Sequence, residues 1–192
     1  LQRIPALFAR AAREKESGLA VDLLTSGSGN GPTLSDLKAL FHADHGNKAS
    51  AGAAISETTL SDARKALRLQ TGLSGKPINL DPRILLVPAA LETLAEKTVS
   101  AVQAAKTSDV NPFTALRVVV DSRLDAKSAT RWYVVTDPAA FDGLWYAYLE
   151  GHQGPQVESR VGWEIDGVEV KVRLDFGVAF VDYRGWYTNA GA

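Results

Sequence analysis

Two of the three histidines in this 192-residue chain fall in one tetrapeptide, His42-Ala43-Asp44-His45. Imidazoles and a carboxylate at that spacing are the donor types of a zinc site, where the metal activates a bound water. The tetrapeptide reproduces the last four positions of the His-x-His-x-Asp-His arrangement of zinc-dependent hydrolases. The first histidine of that arrangement would fall at position 40, which holds Leu40, and the one histidine left over is His152. A metal-dependent hydrolase built on His42, Asp44 and His45 therefore has to complete its ligand set with carboxylates. The competing reading is a hydrogen-bonded loop that carries surface histidines.

A second candidate is the run Thr25 to Pro32, with glycines at 27, 29 and 31. Glycine-rich loops cradle phosphate with backbone N–H groups where they open a helix. Here the preceding apolar residues, Ala20 to Leu24, belong to a helical pattern, no Gly-Lys-Ser/Thr follows, and Pro32 removes a donor. The residues favour a flexible connector. A third candidate is Arg83–Val102, where an apolar strand pattern, Ile84 to Val87, passes through Pro88 into a helical one. Strand-to-helix junctions bind nucleotides at sheet crossovers. This junction reads Val87-Pro88-Ala89-Ala90, with no glycine to admit a phosphate. It is expected to be a packing hub, with Pro88 in the first turn of its helix, Leu91, Leu94 and Val102 buried, and no ligand at Pro88.

Other chemistries find little support. There is no Gly-x-Ser-x-Gly elbow for a serine hydrolase, and the absence of cysteine removes thiolate ligands, disulfides and a cysteine nucleophile. Asp121 and Asp125 read as solvated turn residues. Trp132, Trp145, Trp163 and Trp186 read as core or interface residues. No catalytic, cofactor-binding or metal residue is assigned, no cofactor is expected, and the chain is read as a non-enzyme.

Composition narrows the class further. A hydrophobic fraction of 45% and a charged fraction of 22% are ordinary for a folded domain. A net charge of -1, with acids and bases interspersed, argues against a dedicated nucleic-acid binder. No apolar run approaches the roughly 20 residues that span a bilayer. The chain begins at Leu1, contains no methionine and opens directly into a helical pattern, and is read as a piece of a longer protein.

The elements that must position these residues follow from periodicity. Residues 3–24 form a long amphipathic helix with Ile4, Leu7, Phe8, Ala11, Ala12, Leu19 and Leu23 on its apolar side. A second helix is expected to start near Thr58 or Thr59, with a capping box from Thr59 to Asp62. Leu60, Ala63 and Leu67 supply its buried stripe and Gly72 its stop. Leu116 to Val120 and Trp132 to Val135 are strand patterns, and residues 137–150 predict a helical turn followed by a strand. Val168, Val170, Val172, Leu174 and Phe176 alternate with charged residues, a half-buried strand. Asp166-Gly167 predicts a hairpin that pairs Gly162 to Ile165 with the start of that strand. Gly177 predicts a bend before the β pattern resumes at Val178.

The order of these pieces carries a resemblance. A helix is followed by a glycine-rich loop, Leu40-Phe41-His42 with His45-Gly46-Asn47, Leu85-Leu86-Val87-Pro88 with Leu91-Glu92, and Asp182-Tyr183-Arg184-Gly185-Trp186-Tyr187. That order resembles the major capsid proteins of Mu-like phages and prophages, including the capsid half of prohead protease–major capsid fusions. The resemblance implies the α+β capsid fold of tailed phages and encapsulins (the Hong Kong 97 type), without its N-terminal arm and extended loop. It also implies three regions. Residues 1–72 look like the spine helix, loop and following helix of a peripheral (P) domain. Residues 73–165 look like an axial (A) domain, and 166–192 like strands returning to the P-domain sheet. The implied function is a structural subunit that assembles, as pentamers and hexamers, an icosahedral virion shell around double-stranded DNA in the bacterial cytoplasm. The implied partners are further copies of the chain, a prohead protease and a portal, with no membrane. The alternatives are an encapsulin-like compartment and the metal-dependent hydrolase described above.

Overall fold

The strand that organises the fold is Trp132-Tyr133-Val134-Val135-Thr136, an unbroken run of aromatic and β-branched residues, the types that favour extended backbone. The computed structural model, which describes residues 3–100, 113, 115–162 and 167–192, buries all five of them. In chain order this strand is β3. Its neighbours are β1 (Pro82–Val87), β2 (Arg117–Val120) and β8 (Trp186–Asn189), in the sheet order β2-β1-β3-β8. β1 pairs parallel with β2 and antiparallel with β3, and β3 pairs antiparallel with β8, with Val134 opposite both Leu85 and Tyr187. Beyond β8 the backbone of Asn47 to Ala49 extends the ladder. The Thr188 N–H donates to the Asn47 carbonyl at 3.0 Å, and the Ala49 N–H donates to the Thr188 carbonyl at 2.9 Å.

Because side chains alternate along a strand, β3 feeds two faces. Trp132 and Val134 join Leu85, Val87 and Tyr187 in a core closed by α2 (Glu57–Arg68) and α3 (Glu92–Val99) through Leu60, Ala63, Leu67, Ala95 and Val99. Tyr133 points the other way, its ring 5.6 Å from that of buried Phe41. The α2 stripe is the one its spacing predicts. Its start is not: the cap is Ser56, whose hydroxyl accepts from the Thr59 N–H at 3.2 Å while its own N–H donates to the Thr59 hydroxyl at 2.9 Å. Thr59 is thus the third helical residue of the box rather than its first member, and α2 ends at Arg68, short of Gly72.

The hub differs from its sequence reading in one respect that moves everything after it. Pro88 is extended (φ -66°, ψ 160°) and lies outside the helix, and a single 3₁₀ turn, Ala89–Leu91, precedes α3. The tighter turn shifts the helical phase. Ala95 and Val99 face the core, Leu91 is partly buried, and Leu94, expected to be buried, is 39% exposed. Val102 lies outside the described residues. The two backbone donors at the head of the turn are satisfied from a distance. The Asp125 carboxylate accepts from the Ala89 N–H at 2.7 Å and from the Ala90 N–H at 3.0 Å. Asp125 is therefore a cap and not a solvated turn residue, whereas Asp121 pairs with Arg123 at 2.8 Å.

The chain divides into two compact units, one with Leu24–Leu144 and Phe180–Ala192, the other with most of α1 (Ile4–Leu24) and Trp145–Ala179. The second of these has a different character. Residues 137–141 make the predicted helical turn, with the Phe141 N–H donating to the Asp137 carbonyl, and lead into β4 (Leu144–Tyr148). β4 pairs with β7 (Phe176–Phe180), and β5 (Gln156–Val161) pairs antiparallel with β6 (Val168–Arg173), Val161 opposite Val168. The expected partner of β6, Gly162 to Ile165, is corrected to Gln156–Val161; residues 163–166 lie outside those described. The bend falls at Leu174–Asp175, and Gly177 lies within β7. In α1, Ala12 is buried, but Leu7 is 63% exposed. Ala12 is the one buried residue among the described residues of this unit.

Removing the distant cap tests the hub. Asp125→Ala should destabilise the chain by about 1 kcal/mol, the usual cost of losing a carboxylate that caps backbone donors. Denaturant unfolding should show the midpoint falling with an unchanged slope, and Asp125→Asn should recover part of the loss.

Candidate functional site

His45 is buried and its two ring nitrogens are both engaged. Nδ1 lies 3.1 Å from the Leu40 carbonyl oxygen and Nε2 2.7 Å from the Asp36 carboxylate. The ring stacks on Tyr183, centroids 3.8 Å apart and planes within 6°. His42 is half-exposed and turns its Nδ1 to accept from the Asp44 N–H at 3.2 Å, while the Asp44 carboxylate takes the Lys38 ammonium at 2.5 Å. The tetrapeptide thus spends its lone pairs on its own loop. Among the described residues no group of three or more histidine or carboxylate side chains converges as a metal site requires. His42, Asp44 and His45 are each engaged within the loop, and a metal there would have to displace these bonds.

The loop is locked further by Asn47, which is fully buried. Its amide donates to the Leu40 carbonyl at 2.8 Å and to the Tyr183 carbonyl at 3.3 Å, and its side-chain oxygen accepts from the His42 N–H at 3.2 Å. Gln70 donates to the His45 carbonyl at 2.8 Å. The hydrogen bond from His45 holds the Asp36 carboxyl below the usual carboxylate range, and the one from Lys38 does the same for Asp44. The Lys38 ammonium is held above its ordinary value by the same bond to Asp44.

The glycine run forms an ordered left-handed turn, where a flexible connector was expected. Gly27, Ser28 and Gly29 have φ of 57°, 58° and 83°, left-handed conformations that the two glycines adopt without the Cβ strain that Ser28 carries. The turn is closed by the Gly29 N–H to the Thr25 carbonyl and the Gly31 N–H to the Ser26 carbonyl. Gly31 has a packing duty too, since a Cβ there would lie 2.6 Å from that of Leu40. At the hub, the donors next to Pro88 are consumed by Asp125. Trp132 is core, Trp186 packs edge-on to Phe180 at 5.2 Å, Trp145 is exposed, and Trp163 lies outside the described residues.

The segment Asp182 to Tyr187 brings these pieces together. Arg184 pairs with Asp182 at 2.5 Å, and its guanidinium stands 5.2 Å from the Tyr183 ring whose stacking partner is His45. Gly185 admits Thr136 and Phe141 where a Cβ would come within 2.8 Å of the threonine methyl, and its carbonyl accepts from the Thr136 N–H at 3.0 Å. Tyr187 enters the core beside Trp132. The residues of the segment named here are committed to packing or to an internal bond. A model of the family described as phage capsid protein matches residues 1–189. The chain belongs to the phage capsid protein family.

No curated protein matches the sequence. Among solved structures, the fold is similar to the SrpI encapsulin of Synechococcus elongatus PCC 7942, with a TM-score of 0.51 at 10% identity over 94% of this chain and 63% of that one. A satellite phage P4 procapsid that includes the size determination (Sid) protein matches with a TM-score of 0.39 at 11% identity, over 70% of this chain and 37% of that one. The capsid-family chain therefore spans a little under two thirds of the encapsulin's length and shares its mixed helix-and-sheet, Hong Kong 97-type fold.

The charge pairs of the loop give a pH signature. Asp36 and Asp44 ionise below the ordinary value of 3.8, so their contribution to folding is present above that pH and is lost as pH falls through the lower folded values. NMR titration of the side-chain carboxylates should give midpoints below 3.8 for both. Lys38→Ala should raise the Asp44 midpoint and leave that of Asp36, which the Lys38 backbone N–H and His45 still hold.

Proposed function

We propose that this chain is the shell-forming part of a phage or prophage major capsid subunit. The observation that carries the reading is the family match, which runs over residues 1–189 of 192. The physical support is the unit formed by α1 and residues 145–179. It is a poor candidate for an independent structure, with one buried residue among those described and Leu7, Trp145, Tyr146, Leu149, Val157, Val161 and Val168 all exposed. Apolar surface of that extent marks an interaction face. In a closed shell the same faces meet by symmetry, and many modest contacts add to a stable particle.

In place of the regions that the resemblance implies (1–72 and 166–192 peripheral, 73–165 axial), we propose the peripheral (P) label for the unit with α1 and residues 145–179 and the axial (A) label for the unit with the β2-β1-β3-β8 sheet. The subunits are proposed to form pentamers and hexamers of a virion shell assembled in the host cytoplasm. The shell encloses double-stranded DNA without reading its sequence, as a net charge of -1 befits. A prohead protease and a portal are proposed partners on the strength of the capsid resemblance. Among the described residues no helix is long and apolar enough to cross a membrane. The fold likeness to an encapsulin supports a second reading, a protein-storing compartment. The contents of purified particles separate the two, DNA in one case and a protein cargo in the other.

Expression of the complete gene product followed by electron microscopy tests the proposal. Closed shells of uniform diameter are expected. A complete product that remains monomeric under all assembly conditions would contradict it.

A further inference from the structure

Two short hairpins of this chain have the same hydrogen bonds and differ at the residue that closes the turn. In the hairpin of residues 33–39, bridged from Thr33 to Ala39, the Leu34 N–H donates to the Lys38 carbonyl at 2.8 Å and the Leu37 N–H to the Leu34 carbonyl at 3.0 Å. In that of residues 71–77, bridged from Thr71 to Pro77, the Gly72 N–H donates to the Lys76 carbonyl and the Gly75 N–H to the Gly72 carbonyl, both at 2.9 Å. Each turn ends on a residue of left-handed backbone, followed by a lysine. At 75 that residue is glycine, with φ of 73°, the type that three-residue hairpin loops favour there. At 37 it is leucine, with φ of 64° and 87% of its surface exposed. We propose that Leu37 is an intersubunit contact that packs against a second copy of this chain, which presupposes the shell reading above and names one residue that holds the shell together.

Exposed leucines occur singly on protein surfaces and need no explanation by themselves. Leu73, wholly exposed on the second hairpin, is one of these, and its φ is not left-handed. Leu37 is unfavourable twice over. A Cβ in left-handed backbone crowds the following carbonyl, and the apolar side chain stands in water with no burial to offset that cost. Glycine in the matching turn shows that the geometry does not call for a leucine.

The turn is also held firmly on both sides of Leu37. The Asp36 carboxylate accepts from the Lys38 N–H at 3.1 Å and stands 2.7 Å from His45 Nε2, and the Lys38 ammonium is taken by Asp44. With both flanking side chains drawn onto their own loop, Leu37 is presented in one geometry, a preorganisation that lowers the entropic cost of association. The same turn forms one wall of a groove whose other wall includes Val181, itself 55% exposed. The charged groups of that groove are engaged internally, Asp36 with His45 and Asp182 with Arg184. The face therefore offers a partner apolar side chains rather than free charge. Membership of a phage capsid family supplies the partner, because the surfaces of a capsid subunit are met by further copies of itself. A purely local reading holds that the two anchors impose the left-handed backbone and that any residue serves at 37. The two readings part at Leu37→Gly.

Assembly of the complete gene product and unfolding of its dissociated subunit, measured on the same variants, test the proposal. Leu37→Gly relieves the backbone and should raise the unfolding midpoint of the free subunit, a gain of about threefold in the folding equilibrium. It should also raise the subunit concentration needed to form particles by about tenfold, the loss of one buried leucine. Leu37→Cys places a thiol in a sequence that has none. Mixed with excess wild-type subunit, it should react with a thiol reagent when free and be protected in particles. Particles formed by Leu37→Gly at the wild-type concentration would overturn the proposal and leave the capsid reading standing. A lowered midpoint for Leu37→Gly would overturn it too, because the leucine would then serve the fold of its own subunit. Protection of the Leu37→Cys thiol already in the free subunit would put another segment of the same chain over it, and labelling unchanged by assembly would leave it uncovered; either result contradicts the proposal. A wild-type product that never assembles would overturn the capsid reading and this contact with it.

Discussion

The structure depends on one constraint: β3 has no face and no edge left for water. Its backbone is paired on both sides, by β1 and β8, and its side chains must be covered above and below. The polar atoms taken inside with it are satisfied, the Trp132 indole N–H by the Ala53 carbonyl at 3.0 Å and the Thr136 hydroxyl by the Asp81 carbonyl at 2.8 Å. That matters because an unpaired buried donor costs about 1–3 kcal/mol. One face is closed by the amphipathic helices α2 and α3, the ordinary solution for a half-covered sheet. On the other, Phe41 and Leu40 come from a loop closed on itself by the Phe41 N–H to the Asn30 carbonyl and the Leu40 N–H to the Pro32 carbonyl, both at 2.8 Å. The polar knot of Asn47, His45, Asp36 and Tyr183 ties that loop to the rest of the fold. The histidines that looked like metal ligands are the fastening of a loop that completes a core.

Much of this was readable in the sequence, and the misses share a cause. The β3 strand and the Leu60, Ala63 and Leu67 stripe of α2 are local patterns, and the structure has them where periodicity puts them. The failures occur where a residue distant in sequence decides a local outcome. Nothing near Ala89 reveals that Asp125 caps it, and without that cap the 3₁₀ turn and the resulting exposure of Leu94 are invisible. The β6 partner was missed because a hairpin dipeptide fixes the turn but not where the opposite strand begins. The glycine run reads as flexible from composition alone, whereas Gly29 and Gly31 meet Arg131 and Leu40, side chains from beyond the run. A paired Asp36 and His45 nine residues apart carry no spacing signal at all.

The two units illustrate opposite balances of burial against ordering cost. The unit built on β3 buries a continuous set of apolar side chains, each worth about 1.5–3 kcal/mol. The unit with α1 and residues 145–179 has two-stranded ladders, and such hairpins are marginal in water on their own. Along β5–β6 one side carries the cross-strand pairs Arg160–Glu169 and Lys171–Glu158, at 2.5 and 3.2 Å. The other carries Val157, Val161 and Val168, exposed by 46, 72 and 50%. An amphipathic ladder with an open apolar side is stable when something covers it, and membership of a capsid family makes neighbouring subunits the natural cover.

Hydrogen exchange on the complete gene product, compared before and after assembly, tests that account most directly. The β3 amides should exchange only through global unfolding in both states. The amides of α1 and of β4 to β7 should be weakly protected in the free subunit and should gain protection on assembly. Equal and strong protection of those segments in the free subunit would contradict the account, because it would mean that the unit is complete without its neighbours.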